Sequence, residues 1–244
     1  MAEALTARQT QILKAMIDEY METAEAVGSE NLEKKYNLGI SPATIRNEMV
    51  VLTYLGYLRQ PHTSAGRIPT PKAMKFYVDQ LMEEKQMSVA EEVRVKEGVL
   101  GKREDIDELL DEATRALAQS TRALAVAALD EEDKVWRCGY SNIFLNPEFT
   151  DLESLSSLFS FLEEIKMMHE LFFERMTGLT PVEVLFGEEL GWPGFSPIGV
   201  VGTRINIGGK KGALAVIGPA RLPYPRVIPV VRYFKELIEQ IARP

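Results

Sequence analysis

The sequence predicts an α+β protein of two domains, an N-terminal winged helix-turn-helix and a second domain of mixed strands and helices. Three helical patterns crowd into about the first 50 residues, the third opening on Ser41-Pro42. Two short strand patterns then bracket the polar stretch Pro61-His62-Thr63-Ser64-Ala65-Gly66. From residue 105 onward, strand and helix patterns mix, and hairpin spacing marks the sheet as antiparallel.

In order, residues 5–20 carry Leu5, Ile12, Leu13, Met16, Ile17 and Tyr20 at helical spacing, with Arg8, Gln11, Lys14 and Asp18 between them. Ser29 is the expected N-cap of a short helix that turns Leu32 and Tyr36 inward, and Asn37-Leu38-Gly39 supplies a turn. The third helix has the clearest start signal in the chain. Ser41 can cap, and Pro42 suits the first helical position, where its missing N–H costs nothing. Ile45, Met49, Leu52 and Leu55 follow on one side, and Gly56 closes the helix. "YLRQ" and "RIPT" read as strands around the turn, and Thr70-Pro71 repeats the cap-plus-proline signal for a fourth helix.

The charged stretch 83–104 has weak apolar periodicity and reads as a connector, with a helix left open within it, between a domain at 1–82 and one at 105–244. Residues 105–122 form an amphipathic helix. "ALAVAAL" and "KVWRCGY" are strand candidates around the polar turn "DEEDK". A long helix is expected from about Asp151 to Met176. "PVEVLFG", "SPIGVVGTRINI" and "ALAVIGP" read as strands, the last two joined by a turn at "GGKKG", before a closing helix over "RVIPVVRYFKELIEQIA".

Composition narrows the function. With 45% hydrophobic and 26% charged residues, the chain is globular rather than disordered. No apolar run approaches the roughly 20 residues that span a bilayer, so no membrane association is expected. The start "MAEALTARQTQ" lacks a basic region followed by an apolar stretch, so no secretory signal is expected. One cysteine, Cys138, excludes an internal disulfide framework and fits a reducing cytoplasm. Cys138 with His62 and His169 cannot complete a Cys/His zinc site. The net charge of −8 is unevenly placed: residues 40–78 hold Arg46, Arg59, Arg67, Lys72 and Lys75 against Glu48 alone. Local charge of this kind governs attraction to phosphate, whatever the global sum.

On the third helix, the side opposite Ile45, Met49 and Leu52 holds Ala43, Arg46, Asn47, Val50 and Tyr54. A helix in the major groove of double-stranded DNA reads bases chiefly with its first turns. Small Ser41 and Ala43 permit close approach, and the Ser41 and Thr44 hydroxyls can hold phosphate. Arg46 can fork onto guanine and Asn47 onto adenine. The loop offers His62, Ser64 and Arg67 to a minor groove or backbone. A solvated helix face, or a winged helix that binds protein only, would show much the same pattern, and both stay open at this point.

The run "LTARQTQILKAMIDEYMETAEAVGSENLEKKYNLGISPATIRNEMVVLTYLGYLRQPHTSAGRIPT" closely resembles the N-terminal domain of the HrcA heat-shock repressor family. "SPATIRNEM" and "QPHTSAGRIPT" are the most specific pieces. "YSNIFLNPEFTDLESLSSLFSFLEE" and "IGVVGTRINIGGKKGALAVIGPARLPYPRVIPVVRYFKELIE" are also similar to that family, where they belong to a GAF-like domain. The resemblance implies a homodimeric transcriptional repressor that binds an inverted-repeat operator, the CIRCE element, upstream of chaperone operons. It also implies that the GroEL–GroES chaperonin keeps the repressor active. Carried over by position, Ser41, Pro42, Ala43, Thr44, Arg46 and Asn47 fall on the recognition-helix motif, and His62, Thr63, Ser64, Gly66 and Arg67 on the wing motif. The chain is shorter than its family, and the shortfall falls before Tyr140, leaving a reduced GAF-like α+β domain. Dimerisation is then expected to rest on the helices of 83–122 or on the remaining domain. Gating by a small molecule in the second domain is the alternative to chaperonin control.

Other constellations are weaker. Glu163, Glu164, His169 and Glu170 could suggest metal or acid–base work, but Met167, Met168, Leu171, Phe172 and Phe173 surround them, as in a packed helix. Gly208, Gly209, Lys210, Lys211 and Gly212 lack the order of a phosphate loop and read as a hairpin turn. Cys138 reads as an inert small hydrophobe rather than a redox switch, and Trp136 and Trp192 read as packing residues. No nucleophile–base pair stands out, so neither enzymatic activity nor a cofactor is expected.

Overall fold

The computed structural model describes residues 5–130 and 134–242, and the chain divides into two compact units between Glu83 and Glu84. In the first unit, Thr6 opens helix α1 (Ala7–Thr23) with a capping box. Its hydroxyl accepts from the Gln9 N–H, and its own N–H donates to the Gln9 side chain. Left-handed Ala24 ends α1, and an isolated bridge from Val27 to Arg67 leads into α2 (Ser29–Tyr36). Here the cap differs from expectation. Gly28 flanks the helix, and Ser29 is its first residue, buried, because the chain leaves the Val27 bridge already extended.

Left-handed Asn37 and Gly39 turn the chain to Ser41, which caps α3 (Pro42–Tyr54) with Pro42 in its first turn. At its other end, the Tyr57 N–H reaches the Leu52 carbonyl (2.9 Å) and the Gly56 N–H the Thr53 carbonyl (3.0 Å). That is a Schellman closure, and it needs the positive φ of 79° that Gly56 supplies. Strands β1 (Leu58–Arg59) and β2 (Ile68–Pro69) pair antiparallel around the wing loop. Thr70 then caps α4 (Pro71–Phe76), which widens into a π turn over Tyr77–Leu81. Ile12, Leu13, Met16 and Ile17 of α1 form the core with Leu32, Ile45, Met49, Leu52, Met74 and Tyr77. At its margin Tyr77 Oη donates to Asp18 Oδ1 (2.6 Å), and Tyr36 Oη donates to Glu19 Oε2 (3.1 Å).

The second unit begins with α5 (Val89–Leu100), opened by a Ser88–Glu91 capping box, inside the stretch read as a connector. It packs on α6 (Ile106–Thr121), which Asp105 caps. Strands β3 (Leu124–Leu129) and β4 (Lys134–Cys138) follow; residues 131–133 of the turn read between them lie outside the described residues. The chain continues through α7 (Tyr140–Ile143), a 3-10 turn at Pro147–Thr150, α8 (Leu152–Glu163), and α9 (Ile165–His169) with a π turn over Glu170–Arg175. It ends with β5 (Glu183–Phe186), α10 (Gly187–Leu190), β6 (Ile198–Ile207), β7 (Lys210–Pro219) and α11 (Tyr224–Ile241).

The sheet runs β4-β3-β7-β6-β5, every neighbouring pair antiparallel. Helices α6 and α11 lie on one face. Against the other, Leu158, Phe161 and Phe172 pack on Leu124, Val126 and Ile217. Both faces of β3 and β7 are therefore covered, which explains apolar runs without alternation.

Two further expectations are corrected. The helix over 151–176 is interrupted at Glu164, whose φ of −91° and ψ of 98° are not helical. A straight helix of that length would run about 39 Å, longer than the about 33 Å of a ten-residue strand. The break keeps both halves over the sheet. The hairpin turn is also shorter than "GGKKG": Gly208 and Gly209 alone make it, and Lys210, Lys211 and Gly212 belong to β7.

Candidate nucleic-acid interface

The first unit presents one side of α3. Ile45, Met49 and Leu52 are buried, whereas Ala43, Arg46, Asn47, Val50 and Tyr54 are exposed. Glu48, the one carboxylate in the basic stretch, lies to the side of this face. It accepts from Gln9 Nε2 (3.1 Å) and pairs with Arg8 (3.8 Å), both at the start of α1. The outward face of α3 is thus free of negative charge, and the Arg46 and Asn47 side chains have no hydrogen-bond or ionic partner among the described residues. Lys72, counted in the basic stretch, serves the fold. Its ammonium donates to the Leu55 carbonyl (2.7 Å) and sits 4.3 Å from the Tyr57 ring centre, at the negative end of α3.

At the N-terminus of α3, Ser41 Oγ accepts from the Thr44 N–H (3.3 Å) and lies 3.0 Å from Thr44 Oγ1. One hydroxyl hydrogen is used between the two side chains, and the other is left for an outside acceptor. Pro42 fixes the first turn, and Ala43 leaves room beside it.

Gln60, which the sequence did not single out, organises the wing. Its Nε2 donates to the Thr63 and Ala65 carbonyls (2.9 and 3.0 Å), and its Oε1 accepts from Arg67 Nη1 (3.2 Å). One amide thereby folds the loop and aims the arginine. His62, Thr63 and Ser64 are exposed at the tip, with Ser64 Oγ 3.3 Å from His62 Nδ1. Gly66 has a different task. A Cβ there would stand 2.4 Å from the Val27 carbonyl oxygen, so the residue allows the wing to lie against the extended segment before α2.

A cleft of about 350 Å³ brings Arg46 together with Thr63, Ser64, Gly66 and Arg67. Ser41, Ala43 and Asn47 lie on or beside the same helix face outside that cleft, and His62 stands at the loop tip. The arrangement sets two guanidinium-bearing elements, a helix and a loop, on one concave surface suited to a polyanion.

The group around His169 does not converge on one point: Glu163 and Glu164 are exposed, and Glu170 pairs with Arg175. His169 Nε2 lies 2.7 Å from Asp130 Oδ1, and its ring tilts against Phe173. Among the described residues, no group of three His, Cys, Asp or Glu side chains could hold a metal ion. No described helix is long and apolar enough to cross a membrane.

Known proteins match both units. The family model for the winged helix-turn-helix transcription repressor, HrcA DNA-binding domain, matches residues 4–84, and that for the HrcA protein C-terminal domain matches residues 71–228. The heat-inducible transcription repressor HrcA of Desulforudis audaxviator is 27% identical over 333 aligned positions, covering 96% of this chain and 97% of that one. That alignment is longer than this chain's 244 residues, so the relative carries segments absent here. The HrcA repressor of Desulforamulus reducens is 48% identical over 122 residues, half of this chain and 35% of its own. A crystal structure described as a hypothetical protein shares the fold, with a TM-score of 0.76, 19% identity and 98% of each chain covered. With the winged helix matched in full and the C-terminal model spanning well over half of the sequence, the chain belongs to the HrcA family of heat-inducible transcription repressors, whose winged helix binds DNA.

Proposed function

We propose that this repressor binds an inverted-repeat operator of the CIRCE type as a homodimer in the cytoplasm, upstream of chaperone operons. In this reading α3 enters the major groove. Ala43 allows close approach, Arg46 and Asn47 read base edges, and Ser41, Pro42 and Thr44 place the helix start on the phosphates. The wing residues His62, Thr63, Ser64 and Arg67 hold the adjacent backbone or minor groove, and Gly66 sets the wing's position.

The observation that carries the reading is the exposed face of Ala43, Arg46 and Asn47, free of carboxylates, with the Arg67 wing across one cleft. One such module holds a single half-site. Two joined modules gain effective concentration, so the loss of dimer would release the operator. The GroEL–GroES chaperonin, by assisting folding of the second unit, would then set how much dimer exists. The test is operator affinity of the purified protein, with its mass in solution, after heating with and without chaperonin. Equal affinity in both arms removes chaperonin control, and tight binding by a monomer removes the dimer.

A further inference from the structure

The outer face of α3 does not stop at Asn47. Val50 is 51% exposed and Tyr54 90% exposed, while Val51, one step round the helix, is 40% exposed. Val50 stands four residues after Arg46 and three after Asn47, and Tyr54 four after Val50, so all share one face. Among the described residues the Tyr54 side chain has no hydrogen bond and no ring contact. A solvated face gains little from these residues: a β-branched valine lowers helix propensity, and here about half of its surface stays in water. A protein partner is a poor fit as well. Two apolar side chains bordered by Arg46 and Asn47 offer far less than the about 800 Å² each partner of a stable protein pair contributes.

We infer that Val50 and Tyr54 extend the DNA-reading surface, Val50 against the C5-methyl group of a thymine and Tyr54 against the sugar–phosphate wall of the groove. The inference rests on the proposed role of α3. At 1.5 Å per residue, Val50 lies about 10 Å and Tyr54 about 16 Å along the axis from Ala43, so Val50 is the nearer of the two to the helix start that meets the bases. Thymine alone presents a methyl group in that groove, and a valine can read it by contact only. Tyr54 can pack its ring on a sugar and donate its hydroxyl hydrogen to a phosphate oxygen. DNA is favoured as the occupant because the patch continues the face of Arg46 and Asn47, and Arg46 itself lines the cleft shared with Arg67.

The test uses a duplex selected by the full-length protein from a random-sequence pool, with single thymines replaced by deoxyuridine to delete one methyl at a time. The wild-type protein is expected to lose about fourfold in affinity at one position per half-site, the effect of one buried methyl. Val50→Ala should bind the two duplexes equally at that position, and Tyr54→Ala should lose affinity evenly across sequences while keeping its base preferences. Both sites are exposed, so each variant is expected to fold, as its thermal melt will show. Wild-type protein that prefers its selected duplex yet ignores every methyl overturns the role of Val50, as does a Val50→Ala variant that keeps the methyl dependence. Unchanged affinity in Tyr54→Ala overturns the role of Tyr54. A variant that keeps DNA affinity but loses dimer mass gives the face to a second copy and overturns the inference. If no duplex is preferred over random sequence, the proposed role of α3 fails and this inference with it.

Discussion

Gly66 lies so close to Val27 that a Cβ on it would stand 2.4 Å from the Val27 carbonyl oxygen. The two segments are held there by a pair of hydrogen bonds between Val27 and Arg67, at 2.9 and 3.0 Å. Adding a methyl group at Gly66 must therefore push the wing off the extended segment before α2. Gly66→Ala is expected to cost about 1–3 kcal/mol in stability, as overpacking does, and to weaken operator binding because Arg67 moves with the backbone. Thermal melts and a DNA titration on the same sample check both.

The two arginines at the cleft should behave differently. Arg46→Ala, like Asn47→Ala, is expected to relax base preference by about 1–3 kcal/mol per lost contact. Arg67→Ala should weaken binding evenly across sequences and flatten the dependence of log affinity on log salt by about one unit. Titrations of matched and scrambled duplexes over a salt series separate them. An Arg46→Ala variant with intact operator preference would show that α3 does not read bases through this residue.

Alkaline pH should destabilise the first unit. Burial, and then the hydrogen bond to Asp18, holds the Tyr77 hydroxyl well above the ordinary tyrosine range. Burial likewise pushes Tyr36 up to about 12. A phenol raised in this way stabilises the fold fully below its unfolded value of about 10. The contribution is lost as pH rises from there through the folded values. Tyr77→Phe is expected to cost about 1 kcal/mol near neutral pH and to reduce the fall in stability above about pH 10. Urea denaturation near neutrality and at about pH 11 tests the sign. An unreduced alkaline slope in the variant would refute the assignment to Tyr77.

In the second unit, Arg221 meets Glu148 through two hydrogen bonds, 2.5 Å from Nε and 3.1 Å from Nη2, with both side chains largely buried. Removing the guanidinium leaves a largely buried carboxylate without its cation. Arg221→Ala is expected to lower stability by about 2–3 kcal/mol. Arg221→Lys should recover only part of that, since an ammonium cannot fork onto both oxygens. Denaturant midpoints of the three proteins give the comparison.

Local chemistry was enough to place the winged helix. Ser41-Pro42, the Gly56 closure and Thr70-Pro71 are signals carried by single residues or neighbours, and the helices and strands they bound follow from backbone physics alone. The periodicity of Ile45, Met49 and Leu52 likewise named the buried side of α3, and hence its exposed one. What needed the fold was anything joining residues far apart in sequence. Gln60 gathers Thr63, Ala65 and Arg67 by hydrogen bonds that no periodicity announces. Lys72 counted as surface charge until the end of α3 claimed it, and Glu48 counted against the basic face until α1 turned it aside. The apolar spacing of 151–176 is continuous, so only the finite length of the sheet beneath could impose the break at Glu164. The sequence by itself determined which elements form and which sides they bury, because those depend on neighbours within a turn or two. The tertiary structure alone decided which charges remain on the surface, because a side chain's partner is set by where distant segments come to rest.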